Sequence, residues 1–597
     1  MHVLATAGHV DHGKSTLVKA LTGMEPDRWA EERRRGLTID LGFAWTTLPS
    51  GATAAFVDVP GHERFVPNML AGVGPVPAAL FVVAADEGWM PQSAEHLDAL
   101  HALGVQHAVV AVTRSDLADP GPAAQRAREE MESTSLGDVD VVSVSGIDGT
   151  GLEALRRSLD RLVATLPAPD TDDAVRLWVD RSFSITGSGT VVTGTLPAGR
   201  LRVGDELEIA ALGRTARVRG LHCLAEPVAE ATAVARVALN LRGVSTDDVR
   251  RGDALLTPGR FRPTDMVDVR VHGDEVTSLP RQVMMHTGSA AIPARVRPLG
   301  ADTARLTLAR PVPLRIGDHG LLRDPGSHRI AGGLTVLDVA PPALRRRGAA
   351  AARAKALTDL DGRPDEGSEL RRRGFARRED LERMGVQVTG TPVGAGWLVD
   401  DDLWGRLRTR LRETVAEARR RNPLEPGPPI EVVRRALGLP DRALVHALVA
   451  APLEVRSGRV VTAEDDGAAG QLPTRLIEAI ETLRADLADQ PFAAPDASRL
   501  AELGLGRREL AAAERAGAVV RLADGVVLLP GCVREATRRL RALPQPFTVS
   551  EARKTLGTTR RVAVPLLEYL DRQAVTRRLP DDRRTVRMSS ADVGMAR

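Results

Sequence analysis

Gly8-His-Val-Asp-His-Gly-Lys-Ser15 follows directly on the apolar run Val3 to Ala7 and opens a stretch of helical character. It satisfies the pattern G-x-x-x-x-G-K-[ST] in full. In such a loop the glycines let the backbone wrap around phosphates and aim its N–H groups at them, while the helix that follows adds positive partial charge. Lys14 is then expected to reach the β and γ phosphates, and Ser15 to give its hydroxyl to Mg²⁺. Asp11, His12, Gly13 and Thr16 complete the cradle.

Working outward, residues 1–165 alternate apolar runs (Ala54 to Val59, Ala78 to Ala85, His107 to Thr113, Val139 to Val144) with helical periods at Ser93 to Leu103 and Gly151 to Leu166. That alternation predicts an α/β domain, a parallel sheet wrapped by helices. The loops after the predicted strands carry the chemistry. Asp58-Val-Pro-Gly-His62 offers the Asp58 carboxylate to Mg²⁺ and the Gly61 N–H to a γ-phosphate, and His62 stands where it can orient an attacking water. Between the two loops, Thr38 in Arg35-Gly-Leu-Thr-Ile-Asp40 offers a second hydroxyl to Mg²⁺ when a γ-phosphate holds the segment. Val10 and Leu37 are candidates either for an apolar gate over His62 or for ordinary packing.

The next two loops point to the base. Asp116, in Thr113-Arg-Ser-Asp116, can accept from guanine N1–H and the exocyclic amine, an arrangement adenine cannot match. Ser145-Gly146 can present a backbone N–H to guanine O6. The order of these loops along the chain predicts a GTPase with GTP/GDP and Mg²⁺ as its cofactors.

At 597 residues the chain is long enough for several domains. Pro167 to Asp173 reads as a linker. From 175 to 340, short strands punctuated by Gly or Pro predict two β-barrels, 175–258 and 259–340. Beyond Pro341-Pro342 a loose repeat of Leu, Ala, Arg and Glu at helical spacing ends each time in a short ribbon: Gly396 to Val399, Gly458 to Thr462, Asp524 to Leu529 and Arg583 to Arg587. Helices closed by a two-stranded wing predict tandem winged helices at 355–410, 411–470, 471–530 and 531–597.

Net charge is +3, with 13 Lys/Arg against 22 Asp/Glu in residues 1–165 and 11 against 6 in residues 545–597. The basic far end fits either a nucleic-acid partner or a solvated surface. Cys223 and Cys532 form no C-x-x-C pair, so neither a disulfide framework nor a zinc site is expected. No apolar run has the length of a membrane span and no room is left for a signal peptide, so a cytoplasmic protein without a membrane partner is expected.

Gly8 to Ser15, Arg35 to Asp40 and Asp58 to His62 together resemble the translational GTPases, elongation factor Tu above all. Phe183 to Gly194, Val237 to Gly243 and Arg251-Gly-Asp253 resemble the second domain of that group. Thr113-Arg-Ser-Asp116 departs from the usual N-K-x-D, which shifts base discrimination toward Asp116. With four winged helices behind, the chain resembles the bacterial selenocysteine-specific elongation factors over nearly its full length, the tail match being Phe547 to Arg553 with Arg560 to Asp571.

The resemblance implies a ribosome-stimulated GTPase, active as a monomer. Such a factor brings selenocysteinyl-tRNA to the ribosome at UGA codons while its last winged helix holds an mRNA hairpin. It implies an aminoacyl pocket at Asp180, Arg181 and Arg236, where guanidiniums favour a selenolate over a serine hydroxyl. It also implies RNA contacts from Arg553, Thr559, Arg560, Arg561, Arg577, Arg578, Arg583 and Arg584. Two other readings fit the same features: a related GTPase carrying another tRNA, and a nucleotide-controlled regulator whose winged helices bind duplex DNA.

Overall fold

A computed structural model describes residues 1–26, 40–60, 66–73, 76–187, 189–327, 329–463 and 472–587. The chain forms two compact units, Met1–Thr391 and Pro392–Arg597.

The first unit begins with a six-stranded sheet ordered β2-β3-β1-β4-β5-β6. The strands are β1 (His2–Ala7), β2 (Gly42–Thr47), β3 (Thr53–Asp58), β4 (Ala78–Ala84), β5 (His107–Thr113) and β6 (Asp140–Ser143). Helices α1 (Lys14–Thr22), α2 (Val66–Val73), α3 (Pro91–Ala102), α4 (Gly121–Glu132) and α5 (Leu152–Thr165) cover it. Strands β1 and β4 are almost wholly buried because helices lie on both faces, which is why they read as unbroken apolar runs rather than as alternation. One edge departs from the all-parallel expectation: β2 runs antiparallel to β3, with Gly42 opposite Asp58. A tight turn (Ser50, Gly51) suffices to join antiparallel neighbours, so no crossover helix announces it in the sequence.

Strands between Arg176 and Leu256 form the second domain, an antiparallel sheet with a small satellite ribbon. Thr264–Gly273 to Ile330–Asp338 then close a six-stranded barrel. Alternating burial, as in Ala290–Pro298 where every second side chain is inside, is the period-2 signature of a strand with one face on the core. Two helices, Ala349–Leu357 and Glu366–Arg373, follow the barrel and are held to it by guanidiniums.

In the second unit, the 21-residue helix Asp401–Arg421 is capped by the Asp400 carboxylate, which accepts from the Leu403 N–H at 2.9 Å. It packs on Ile430–Leu437 and Arg442–Leu448 and runs unbroken through the boundary expected at 410/411. An amphipathic seam of about three turns, Trp404, Leu407, Leu411 and Val415, makes it one element, so no division falls at 410/411. Helices then alternate with the ribbons Leu453–Arg456/Arg459–Thr462, Val520–Ala523/Val526–Leu528 and Thr576–Arg578/Arg584–Val586. The helix Val549–Leu556 starts in a reciprocal capping box between Thr548 and Glu551, beside the buried Phe547. Among the described residues no helix is long and apolar enough to cross a membrane, and Cys223 and Cys532 are both unpaired.

Candidate functional site

The loops after β1, β3, β5 and β6 meet at the carboxyl edge of the sheet, where an open α/β sheet leaves its binding crevice. Gly8 has φ +128°, and a Cβ there would stand 2.1 Å from the Val82 carbonyl oxygen, so only glycine lets the loop turn against β4. Asp11 also lies in the left-handed region, at φ +63°. Gly13 N-caps α1, with Lys14, Ser15 and Thr16 in its first turn. The Lys14 ammonium is buried, donating to the carbonyls of Gly8 at 3.0 Å and His9 at 2.7 Å. Burial lowers its pKa to about 8 against the opposing pull of Asp58 and Asp11, so at neutral pH it is a buried cation held by carbonyl dipoles. Such a charge calls for an anion.

Asp58 ends β3 and is fully buried. Its Oδ2 accepts from Ser15 Oγ at 2.6 Å and its Oδ1 from Thr6 Oγ1 at 2.7 Å. A hydroxyl and a carboxylate meeting beside a buried lysine form an all-oxygen donor pair, the chemistry a hard divalent cation takes. Thr38, Leu37, Gly61 and His62 lie outside the described residues. Val10, partly exposed, donates its N–H to Gln92 Oε1 at 3.0 Å.

At the base end, Thr113 Oγ1 donates to the His12 carbonyl at 2.7 Å and ties the β5 loop to the phosphate loop. Arg114, at φ +55°, reaches back to the Asp11 carbonyl and pairs with Asp86 and Glu87 at 2.8 Å each. Asp116 is exposed, while Ser145 is buried and accepts from the N–H groups of Ile147 and Asp148 at 3.3 Å. The two loops are joined by Ser115 N–H to the Val144 carbonyl at 3.3 Å, and Gly146 packs against Thr16.

Sequence reasoning missed His96. It is buried on α3 and its Nδ1 accepts from the Gly8 N–H at 3.0 Å. Burial, with Lys14 and His9 nearby, lowers its pKa to about 3, so the ring is neutral, as an acceptor must be. Gln92 and His96 are i, i+4 on α3, and the helical segment expected at Ser93 to Leu103 included His96 without a role and began one residue after Gln92.

Between β2–β3 and the second domain lies a cavity of about 350 Å³, with Phe43, Trp45, Arg181, His222, Arg236 and Asn240 in its lining. Arg181 and Arg236 line it, and Asp180, buried beside them, pairs with Arg236. Arg236 grips the buried Asp180 with both amino groups, one at 2.7 Å, and Thr193 Oγ1 donates to the same carboxylate at 2.6 Å. Arg236 and Arg181 both lie over the Phe43 ring, at 3.9 and 5.2 Å.

The last winged helix separates its arginines. Thr559 and Arg560 are exposed at the N-terminus of the helix Arg560–Arg572, where partial positive charge adds to the guanidinium. Arg577 is exposed, Arg578 pairs with Asp582 at 2.5 Å, Arg583 stands 3.6 Å from Asp581, and Arg553 is half-buried. One expectation needs correction. Arg584 is buried, its Nε donating to Asp571 at 2.9 Å, so it braces the wing and presents no charge to solvent. Arg561 is exposed, and its amino groups donate to the carbonyls of Ala494 at 2.9 Å, Pro495 at 3.0 Å and Gly525 at 3.3 Å, which ties this domain to the preceding one.

Comparison with known proteins places this geometry. The family described as "Elongation factor Tu GTP binding domain" matches residues 1–165, and "Elongation factor Tu domain 2" matches 189–256. "Selenocysteine-specific elongation factor, beta-barrel domain" matches 264–343 and "Elongation factor SelB, winged helix" matches 538–585. The selenocysteine-specific elongation factor of Escherichia coli is 31% identical over 97% of this chain and 98% of its own length. The chain belongs to the selenocysteine-specific elongation factors. The counterpart from Desulfomicrobium baculatum is likewise 31% identical, over 97% of this chain and 99% of its own. A solved bacterial selenocysteine-specific elongation factor superposes with a TM-score of 0.70 at 26% identity, covering 98% of this chain and all of that one. As a member of this family the chain is a GTP-binding translational GTPase, built from a GTPase domain, two β domains and winged helices.

Proposed function

We propose that this elongation factor delivers selenocysteinyl-tRNA to the ribosome at UGA codons under control of GTP, with its last winged helix holding an mRNA hairpin. It works in the cytoplasm as a monomer. The observation that carries the nucleotide half is the buried Lys14 cation beside the Ser15–Asp58 pair. Lys14 reaches the β and γ phosphates, and the backbone N–H groups of Asp11 to Thr16 cradle them. Ser15, Asp58 and Thr38 hold Mg²⁺, which when bound neutralises charge on the phosphate oxygens. Asp116 accepts from the guanine edge, Ser145 and Gly146 meet O6, and Thr113 keeps the base loop on the phosphate loop. His62 orients the attacking water and Gly61 donates its N–H to the γ-phosphate.

Asp180, Arg181 and Arg236 form the aminoacyl pocket. A selenol ionises near neutral pH and a serine hydroxyl does not, so guanidiniums over the Phe43 ring favour the selenolate. Arg553, Thr559, Arg560, Arg561, Arg577, Arg578 and Arg583 meet the hairpin through its phosphates and loop bases. Filter binding tests the whole. With GTP the chain retains selenocysteinyl-tRNA far better than seryl-tRNA on the same tRNA body, and it binds an RNA hairpin in preference to duplex DNA. Equal retention of the two aminoacyl-tRNAs rejects the reading. His62→Ala keeps GTP and tRNA binding and loses ribosome-stimulated hydrolysis; unchanged turnover on ribosomes removes His62 from the mechanism.

A further inference from the structure

Arg181 and Arg236 share one aromatic platform but differ in where their counter-ions come from. Arg236 is neutralised by Asp180, from its own domain. Arg181 is neutralised from the nucleotide domain: its Nε stands 2.9 Å from Asp40 Oδ2, and its amino group donates to the Leu41 carbonyl. Both side chains of this pair are largely buried, 19% and 26% exposed. The other carboxylate oxygen of Asp40 lies 4.0 Å from Arg251, which in turn donates to Asn68 Oδ1 on α2 at 2.7 Å.

Asp40 is thus anchored beside two segments that flank the phosphate site. It precedes β2, whose Gly42 pairs with Asp58, the partner of Ser15. There is little slack at that crossing. A Cβ on Gly42 would sit 3.2 Å from the Asp58 Cβ and 2.9 Å from the Pro26 carbonyl oxygen, so a shift of Asp58 bears directly on the start of β2, two residues after Asp40. Through Arg251 and Asn68 the same carboxylate is linked to α2, the helix that follows the Asp58 loop.

We propose that Asp40 is the resident counter-ion of Arg181 and makes aminoacyl binding depend on the nucleotide: while Asp40 holds the guanidinium, an anionic esterified side chain must displace it, and movement at the Asp58 end of β2–β3 releases it. This rests on the reading of the cavity as the aminoacyl pocket. A ligand that needs Arg181 binds with its intrinsic affinity reduced by the fraction of molecules in which the pair is open. Asp40 is therefore a positioning residue, acting through Arg181, and it weakens binding in one nucleotide state only.

The test uses the full chain as wild type, Asp40→Asn and Asp40→Glu, titrated with selenocysteinyl-tRNA in the GDP form and with a non-hydrolysable GTP analogue, and with the two nucleotides alone. Asp40→Asn removes the charge at nearly constant volume. It raises tRNA affinity in the GDP form about tenfold and leaves the GTP form within about threefold, and by linkage it weakens GDP binding to the free chain about tenfold relative to the GTP analogue. Asp40→Glu restores the wild-type ratio. An equal change in both forms, or none in the GDP form, overturns the proposal. Should melting curves show Asp40→Asn misfolded, Asp40→Ser must give the same direction of change, and failure there also overturns it. If the wild type itself binds selenocysteinyl-tRNA and seryl-tRNA alike, the pocket reading falls and the proposal with it. A wild type that discriminates between them while Asp40→Asn does nothing isolates the failure to Asp40.

Discussion

Asp338→Asn is the substitution whose cost follows most directly from the structure. Asp338 ends the last barrel strand and is fully buried. Its carboxylate accepts from Arg353 at 2.5 Å, Arg373 at 2.6 Å, Arg372, and the Ala340 N–H at 2.9 Å. Arg353 belongs to the helix Ala349–Leu357 and the other two to Glu366–Arg373, so one side chain staples both helices to the barrel. Burial alone would raise its pKa, but the guanidiniums of Arg372, Arg373 and Arg353 reverse this and hold it down to about 2, against an ordinary 3.8. The difference corresponds to about 2.5 kcal/mol favouring the charged, folded form.

The asparagine variant loses that contribution and leaves buried guanidiniums short of one countercharge, a defect of about 3 kcal/mol. Because the folded pKa is depressed, the wild-type advantage is complete above about pH 5 and fades as pH falls through 3.8 toward 2. Hydrogen exchange over residues 349–373 reads this locally in a multidomain chain. At pH 7 the variant exchanges there about a hundredfold faster, and the gap narrows as pH falls from 5 to 3. Equal protection at pH 7, or a gap independent of pH, refutes the electrostatic account.

Lys14→Ala deletes the one buried ammonium of the phosphate loop and lowers GTP affinity by more than tenfold in a fluorescent-nucleotide titration, while the melting temperature holds. His96→Ala leaves the Gly8 N–H without its acceptor, destabilises the domain by about 1–2 kcal/mol in chemical denaturation and weakens GTP binding several-fold. Replacing both Arg560 and Arg577 by Ala weakens the hairpin complex and flattens its dependence of log affinity on log salt by about two. Arg584→Ala instead lowers stability by about 1–3 kcal/mol, because Asp571 loses its buried guanidinium while keeping the Thr576 hydroxyl.

Much of the candidate site was legible because its parts are contiguous. The phosphate loop, the Asp58 loop and the Asp116 loop each occupy a few consecutive residues, and a strand-loop-helix context confers their geometry without distant help. The arginines of the last domain were less legible. Arg560, Arg561, Arg583 and Arg584 look alike in sequence, yet Arg584 is buried against a carboxylate 13 residues away, while Arg560 and Arg561 stay exposed. Likewise β2 was invisible as an antiparallel edge, and the 21-residue helix at 401–421 straddles a boundary drawn from ribbon spacing alone.

By itself the sequence determined the order of domains, the phosphate and guanine loops and the family, since all of these rest on short-range patterns of glycine, charge and apolar period. Only the tertiary structure decided which charges are free and which are paired. Asp40 with Arg181 is 141 residues apart in the chain, His96 with Gly8 is 88, and Asp338 with Arg373 is 35. Electrostatic pairing acts through space and through burial, neither of which is a property of position along the chain.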